Sequence, residues 1–437
     1  MSHTGTTTGS ARRITTHRRP LICRGSTLIS TRAHGKKSAV LWFKNDLRVI
    51  DHPGLQTVAH LEHLTPCYLL DPALLTGLAS RPAGPEVLVS ALSVLRTQLR
   101  AMGSDLVVRV GPCGDALRDL AAASSGQPSS GGEAYEGTLI VAEEEVGRVG
   151  SHNIVEALGA LSGSADSVDE MDASGPQDGG RSSNTVHLWQ SPMAWESSNF
   201  EMNYRLWADN GRRGPTSKLM EAPSSLPPLP PGISPGDIPT AAQLRDLLRS
   251  ATLQHQTSGS GSTRELHALQ ARIEDQAFSS PESQHVASIA STNAEPSEIL
   301  SAYLSATSAG SDDLPKLQQL VSSAAVALEL PSAPGSSFKA ILGPWMELGA
   351  LSRRQILEGA SGHQGRSPLP GRAAAAVRAV EVHEFHERLA TEGVAAGRPK
   401  EVVPASSVGG DADSSTAALS PRVHQFRWRG TRNGTHG

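Results

Sequence analysis

From residue 38 onward, short apolar runs alternate with longer segments of helical periodicity. The run SAVLWF places Val40, Leu41, Trp42 and Phe43 side by side, as in a strand buried on both faces. The segment that begins at His52 carries Leu55, Val58, Ala59 and Leu61 at helical spacing, with Pro53 in the first turn, where its missing N–H costs nothing. TPCYLLD then reads as a second strand, and GPEVLVSALSVLRTQLRAMG as a long amphipathic helix stopped by Gly103. DLVVRVG reads as a third strand, Ala116 to Ala123 as a short helix, GTLIVAEE as a fourth strand and Val146 to Leu161 as a helix. After a Ser-, Gly- and Asp-rich insert from Ser162 to Ser183, expected to be disordered, NTVHLWQ supplies one more strand.

Parallel neighbours need helical crossovers, so this alternation predicts an α/β fold: a doubly wound, mostly parallel Rossmann-like sheet covering residues 38–192. Residues 193–262 read as a linker around the spacer PSSLPPLPPGISPGDIP, which cannot sustain regular hydrogen bonding. Beyond it only helical patterns occur: Ala241 to Leu253, Thr263 to Ala277, Ser297 to Thr307, Leu314 to Leu330, Ser337 to Gly359 and Arg372 to Thr391. Residues 263–393 are therefore expected to form a reduced, partly disordered all-helical region, and 394–437 a disordered tail with a short strand-like end.

Composition narrows this picture. With 437 residues but only 4% aromatics, and with apolar segments separated by Ser, Gly and Pro, the chain is expected to build local cores rather than one continuous core. A net charge of −4 disfavours a globally basic nucleic-acid binder, although a local basic groove could still exist, so DNA is the less expected partner and charge alone does not choose one. Cys23, Cys67 and Cys113 share no metal spacing and leave one thiol over under any disulfide scheme, which fits a reducing compartment. No apolar run approaches the roughly twenty residues that cross a bilayer, and no membrane partner is expected. The first acidic residue is Asp46, whereas Arg12, Arg13, Arg18, Arg19, Arg24, Arg32, Lys36 and Lys37 precede it among many Ser and Thr. Residues 1–37 thus have a transit-peptide composition, and the Ser and Thr favour chloroplast over mitochondrion.

The turn KNDLR puts Asn45, Asp46 and Arg48 at the carboxyl end of the first strand, where open α/β sheets form their ligand crevice. A structural Asp46–Arg48 pair pinning the turn explains the same letters. The turn has no G-x-G-x-x-G pattern, so a conventional dinucleotide site is disfavoured.

VLWFKNDLRVIDHPGL closely resembles the opening of photolyases and cryptochromes, and PCYLLDP, LVSALSVLRTQLRAMGSDLVVRVG and LIVAEEE extend the resemblance through the α/β domain. That resemblance implies a folate or deazaflavin antenna between this domain and a helical one, approached by Glu143, Glu144 and Glu145. A solvated helix start is the other reading of the three acids. The segment SSFKAILGPWMELGALSRRQIL resembles the family stretch whose hydroxyls contact FAD phosphates, which makes Ser336 and Ser337 the cofactor candidates. A plain helix N-cap is the alternative.

After Leu357 the remaining elements of the family's flavin site are not found, and the six Trp residues are not clustered at helical spacing, so no tryptophan electron-transfer chain is expected. His383, Glu384 and His386 lack the H-E-x-x-H spacing and read as an exposed charged helix rather than a metal site. Arg205, Arg212, Arg213 and Lys218 read as a solvated loop. The expected function is a non-repairing binding or light-signalling module with a small-molecule chromophore as its candidate ligand; no catalytic residue is assigned. A light-dependent photolyase with FAD in a reduced helical domain is the alternative. The stretch FEMNYRLWADNGRRG and the terminal VHQFRWRG resemble a plant and algal branch in which such a region precedes an α/β-hydrolase. A truncated fusion is therefore a third reading, since the single G-x-S-x-G match, GISPG at 232–236, falls in the Pro-rich spacer and not in a strand-turn-helix elbow.

Overall fold

The strand-and-helix alternation folds into a five-stranded parallel sheet, because parallel neighbours require crossover connections. The computed structural model describes residues 37–72, 74–75, 78, 81, 83–125, 137–144, 184–196, 200, 203–211, 213–215, 218–257, 280–306, 314–362 and 371–395. The expected transit segment, the helix Val146 to Leu161, the insert Ser162 to Ser183, the helix Thr263 to Ala277 and the tail from residue 396 lie outside those residues. The strands β1 (Ser38–Phe43), β2 (His63–Leu70), β3 (Val107–Val110), β4 (Leu139–Glu143) and β5 (Thr185–Trp189) are ordered β3-β2-β1-β4-β5. The helices α1 (Pro53–Val58), α2 (Gly84–Ala101) and α3 (Cys113–Ser124) make the crossovers.

Period-two alternation sorts the two faces of the sheet. Val40, Trp42, Cys67, Leu69, Val107, Ile140 and Ala142 pack with Cys113, Leu117, Leu120 and Ala121 of α3. On that face the hydroxyl of Thr65 meets that of Ser124 at 2.9 Å. The opposite residues, Ala39, Leu41, Phe43, Leu64, Leu70, Leu139 and Val141, face α1 and α2.

Here the expectation of separate local cores is corrected. The cluster on the second face runs without a break from Ala39 through α2 into the helical region as far as Phe385. The reason is the width of the apolar stripe on α2: Val87, Leu88, Ala91, Leu92, Leu95 and Leu99 are all buried, so the helix has one flank for the sheet and another for the helices behind it. Those helices follow a small two-stranded ribbon, β6 (Trp195–Glu196) with β7 (Arg213–Pro215), and a short helix α4 (Tyr204–Leu206) that runs into a π-helical turn at Trp207–Gly211. They are α5 (Ala241–Thr257), α6 (Pro281–Ala290), α7 (Pro296–Ser305), α8 (Lys316–Ala327), α9 (Ser336–Glu347), α10 (Arg353–Gly362) and α11 (Gly371–Ala395).

Two differences from the sequence expectation shape the region around the carboxyl end of β1. The pattern from Ser337 to Gly359 is not one helix but two, α9 and α10, separated by a turn at Gly349 with φ of 62°. The Pro-rich stretch is held along the α/β domain: Leu226 N–H donates to Met102 O, Leu64 N–H to Pro228 O and Val108 N–H to Pro235 O. Prolines lack a donor, so such a segment contributes carbonyls, and it covers the outward-facing edge of β3.

Candidate functional site

The polar turn after β1 sits where the carboxyl ends of β1, β4 and β5 meet the helical region. Asp46 is fully buried; its carboxylate accepts the Lys44 N–H at 2.6 Å and pairs with His52 Nε2 at 3.1 Å. His52 Nδ1 accepts the Leu55 N–H at 3.0 Å, capping α1, so its ring proton lies on Nε2 and points to Asp46. Burial alone would raise the Asp46 carboxyl, but the His52 and Lys44 N–H donors and the Arg48 charge outweigh it and hold it below the usual range. Burial also pushes His52 down, more than the Asp46 carboxylate lifts it, so the imidazole is neutral.

Arg48 is likewise buried, but it does not pair directly with Asp46. Its guanidinium donates to Asp51 O at 3.2 and 3.1 Å, to Gly349 O at 3.0 Å and to Ser191 Oγ at 3.2 Å. Ser191 Oγ in turn donates to the Glu143 carboxylate, and Lys44 Nζ donates to Glu143 O at 2.6 Å. Asp51 has φ of 61°, a left-handed conformation that Asp tolerates better than most residues. Arg354 of α10 grips its carboxylate through Nε at 3.1 Å and through Nη2. Burial opposes ionisation of Asp51, yet the hydrogen bonds from Arg354 and Ser352 bring its pKa below the ordinary value.

The turn between α9 and α10 seals this arrangement. Leu47 N–H donates to Leu348 O at 3.1 Å, and Gly349 lies so close to Asn45 that a Cβ there would fall 1.8 Å from Asn45 O. Between these residues lies a cleft of about 40 Å³ lined by Asn45, Arg48, Glu143, Ser191, Arg353 and Glu387, room for roughly three waters. Sites that take a drug-sized ligand are nearer ~300–1,000 Å³. The seam is also neutral within itself: Lys44, Arg48, Arg353 and Arg354 face Asp46, Asp51, Glu143 and Glu387. A folate- or flavin-sized antenna does not fit between these residues as they stand.

Asn45, Asp46, Arg48 and Glu143 are thus brought together. Glu144 is exposed at the end of β4 and accepts from Gln190 Nε2 at 2.8 Å; Glu145 lies outside the described residues. Ser336 and Ser337 stand elsewhere, at the N-terminus of α9. Ser336 Oγ donates to Leu328 O at 2.9 Å and accepts from Leu330 N–H at 2.8 Å. Ser337 Oγ donates to the Glu329 carboxylate and lies 3.0 Å from Tyr303 Oη. Glu329 also accepts the N–H groups of Gly335 at 2.6 Å and Ser337 at 3.1 Å. These are the donors a flavin phosphate would need, and a carboxylate of the chain holds them, so the group does not fit here either.

The sequence reading missed Asp51, His52, Gly349, Arg354 and Glu329, and misplaced Glu384. The segment around His383, Glu384 and His386 is not an exposed charged helix. Glu384 is fully buried and accepts from Ala194 N–H at 2.7 Å and Trp195 N–H at 3.3 Å, while Arg388 pairs with it at 2.8 Å. A legible signal existed: Glu384 continues the stripe of Ala373, Ala376 and Val380, and a carboxylate on an apolar stripe marks a buried acceptor. Trp195 and Trp207, twelve positions apart, meet edge to face at 6.0 Å beside Phe385. Arg205 lies in α4 rather than in an open loop; of Arg212 and Arg213 no side-chain placement is described.

Comparison with known proteins adds to this geometry. Residues 39–127 match the DNA photolyase family model. Over 97 residues the chain is 34% identical to "Cryptochrome DASH, chloroplastic/mitochondrial" of Ostreococcus tauri, covering 20% of this chain and 18% of that protein. Over 98 residues it is 37% identical to "Blue-light photoreceptor PHR2" of Arabidopsis thaliana, covering 21% and 22%. These matches span about a fifth of each relative's length. Among solved structures, a bacterial class III photolyase from Agrobacterium tumefaciens aligns over 84% of this chain and 61% of its own, at 15% identity and a TM-score of 0.46.

Proposed function

We infer that this chain, whose α/β domain belongs to the photolyase/cryptochrome family, works as a non-repairing binding module built on that domain. The observation that carries the reading is the sealed seam: Gly349 seated against Asn45, Arg354 on Asp51, and a residual cleft of about 40 Å³. A repair enzyme needs a flavin held and tuned by protein groups, because the cofactor carries the light chemistry. The described residues instead spend their charges on one another. Buried pairs of this kind favour registry between packed elements over ligand capture.

The name of one relative, a blue-light photoreceptor, supports a sensory or binding role. An organellar location, chloroplast over mitochondrion, is proposed from the acid-free, Arg-, Ser- and Thr-rich stretch before Asp46; the Ostreococcus tauri relative's name supports the organelle.

The test is absorbance of the purified folded chain from about 350 to about 450 nm, followed by a pyrimidine-dimer repair assay under blue light. No flavin band and no repair is the expected result. An antenna-type band without repair would turn the reading toward light signalling, and stoichiometric flavin with dimer repair would overturn it.

A further inference from the structure

The seam accounts for the antenna position but not for the second place where the family resemblance puts an anion, the N-terminus of α9. The first amides of a helix are orphan donors with partial positive charge, and they accept an anion readily. In this chain the anion comes from six to eight residues upstream. α8 ends at Ala327 with Leu328 as its cap, and a tight turn bridges Leu330 to Ala333. Gly335, at φ of 87°, then brings the chain back so that its own N–H and that of Ser337 converge on Glu329. Ser337 Oγ adds a third donor, itself held by Tyr303 Oη at 3.0 Å.

The surroundings are arranged for a negative group. Arg372 is buried over the Tyr303 ring at 5.2 Å and donates to Tyr303 O at 2.9 Å. Burial works against ionisation of Glu329, but the three donors, with Arg372 at longer range, bring its carboxyl below the ordinary value.

We propose that Glu329 is a resident anion: its carboxylate occupies the place of a diphosphate at the N-terminus of α9 and lets the helical region fold without one. The inference rests on the reading that the chain does not hold flavin, and it supplies the device by which that state is stable. A diphosphate entering this position would have to displace a carboxylate that makes three charge-assisted hydrogen bonds, and would meet its charge if it stayed.

The experiment compares the full chain with Glu329→Ala and Glu329→Gln, by urea unfolding and by titration with inorganic pyrophosphate. Wild type is expected to unfold at the same urea concentration with or without pyrophosphate. Glu329→Ala should lose stability and then bind pyrophosphate at least about tenfold more tightly than wild type, recovering part of the loss. Glu329→Gln keeps the side-chain volume and one acceptor, so it should fold, with an intermediate loss, and it carries the comparison if the alanine variant does not fold. Variants as stable as wild type, or equal pyrophosphate affinity in all three proteins, would overturn the proposal. Flavin co-purifying with wild type would sink the functional reading instead; the resident anion would then stand only if pyrophosphate still bound Glu329→Ala more tightly than wild type.

Discussion

Gly349→Ala tests the seam at its tightest point. The substitution adds one methyl group, yet the added Cβ would lie 1.8 Å from Asn45 O and 2.8 Å from Asp46 Cα, both backbone atoms that cannot swing away as a side-chain end could. The left-handed φ of 62° adds about 1–2 kcal/mol for any residue with a Cβ. Relieving the overlap means moving the α9–α10 turn outward by an ångström or more. That movement strains or breaks Leu47 N–H to Leu348 O, a neutral bond worth about 1 kcal/mol, and Arg48 to Gly349 O, a charge-assisted one worth about 1.5–3 kcal/mol. The expected loss is about 4 kcal/mol, a large fraction of the stability of a typical protein. Gly343→Ala is the control: Gly343 sits inside α9, a Cβ added there would meet only Lys339 Cγ at 3.8 Å, and alanine should stabilise by up to about 1 kcal/mol through helix propensity. Urea unfolding of both variants, with slopes compared to confirm a shared unfolded state, gives the two differences. A Gly349→Ala midpoint indistinguishable from wild type would refute the close packing on which the functional reading depends.

Other expectations come from the same geometry. Arg354→Met leaves the Asp51 carboxylate buried without its main partner and should cost about 3–5 kcal/mol, whereas the pair Asp51→Asn with Arg354→Met should cost clearly less than the two single losses added together; a double-mutant cycle by urea unfolding reads the coupling. Because burial holds folded His52 below the ordinary 6.5, the unfolded chain binds more protons just below that pH, and stability should fall as pH drops from about 6.5 toward the folded value. Asp46 and Asp51, both lowered from 3.8, extend the loss further as pH falls below that value, and His52→Asn should flatten the upper part of the profile and, because His52 is the largest cause lowering Asp46, shrink the lower part as well. Burial raises the Cys67 thiol strongly and Cys113 to about 11, so neither should react with iodoacetamide near pH 8 until the chain unfolds; peptide mass mapping checks this.

The sheet was legible because its signals are local. Val40 to Phe43 announce a doubly buried strand, and α2 announces both its length and its breadth in one window of sequence. The candidate turn was legible for the same reason, since Asn45, Asp46 and Arg48 come directly after a strand end. What could not be read were partners distant in sequence: Arg48 meets Gly349 across 301 positions and Arg354 meets Asp51 across 303. Periodicity says that a face is buried but not against what, which is why α2 read simply as a long amphipathic helix and not as the wall between sheet and helices. Gly349 did leave a signal, since a glycine after a helical run marks a helix end, but the apolar pattern on both sides concealed it.

The positions that sequence resemblance marks for ligands are those where this fold has used its own charges. At the carboxyl end of β1 the acceptors Asp46 and Asp51 are taken by His52 and Arg354, and at the N-terminus of α9 the amides are taken by Glu329. An unpaired charge in the buried turn after β1 would cost several kcal/mol, so a chain that folds without the ligand has to supply the counter-group itself, whereas at the exposed start of α9 Glu329 satisfies amides that the helix leaves without partners. Pairing at both places therefore has one physical explanation: each self-satisfied site removes an energetic requirement for cofactor binding during folding. It also gives order to any route back to ligand binding, because opening the cleft alone would still leave a carboxylate among the donors at the N-terminus of α9.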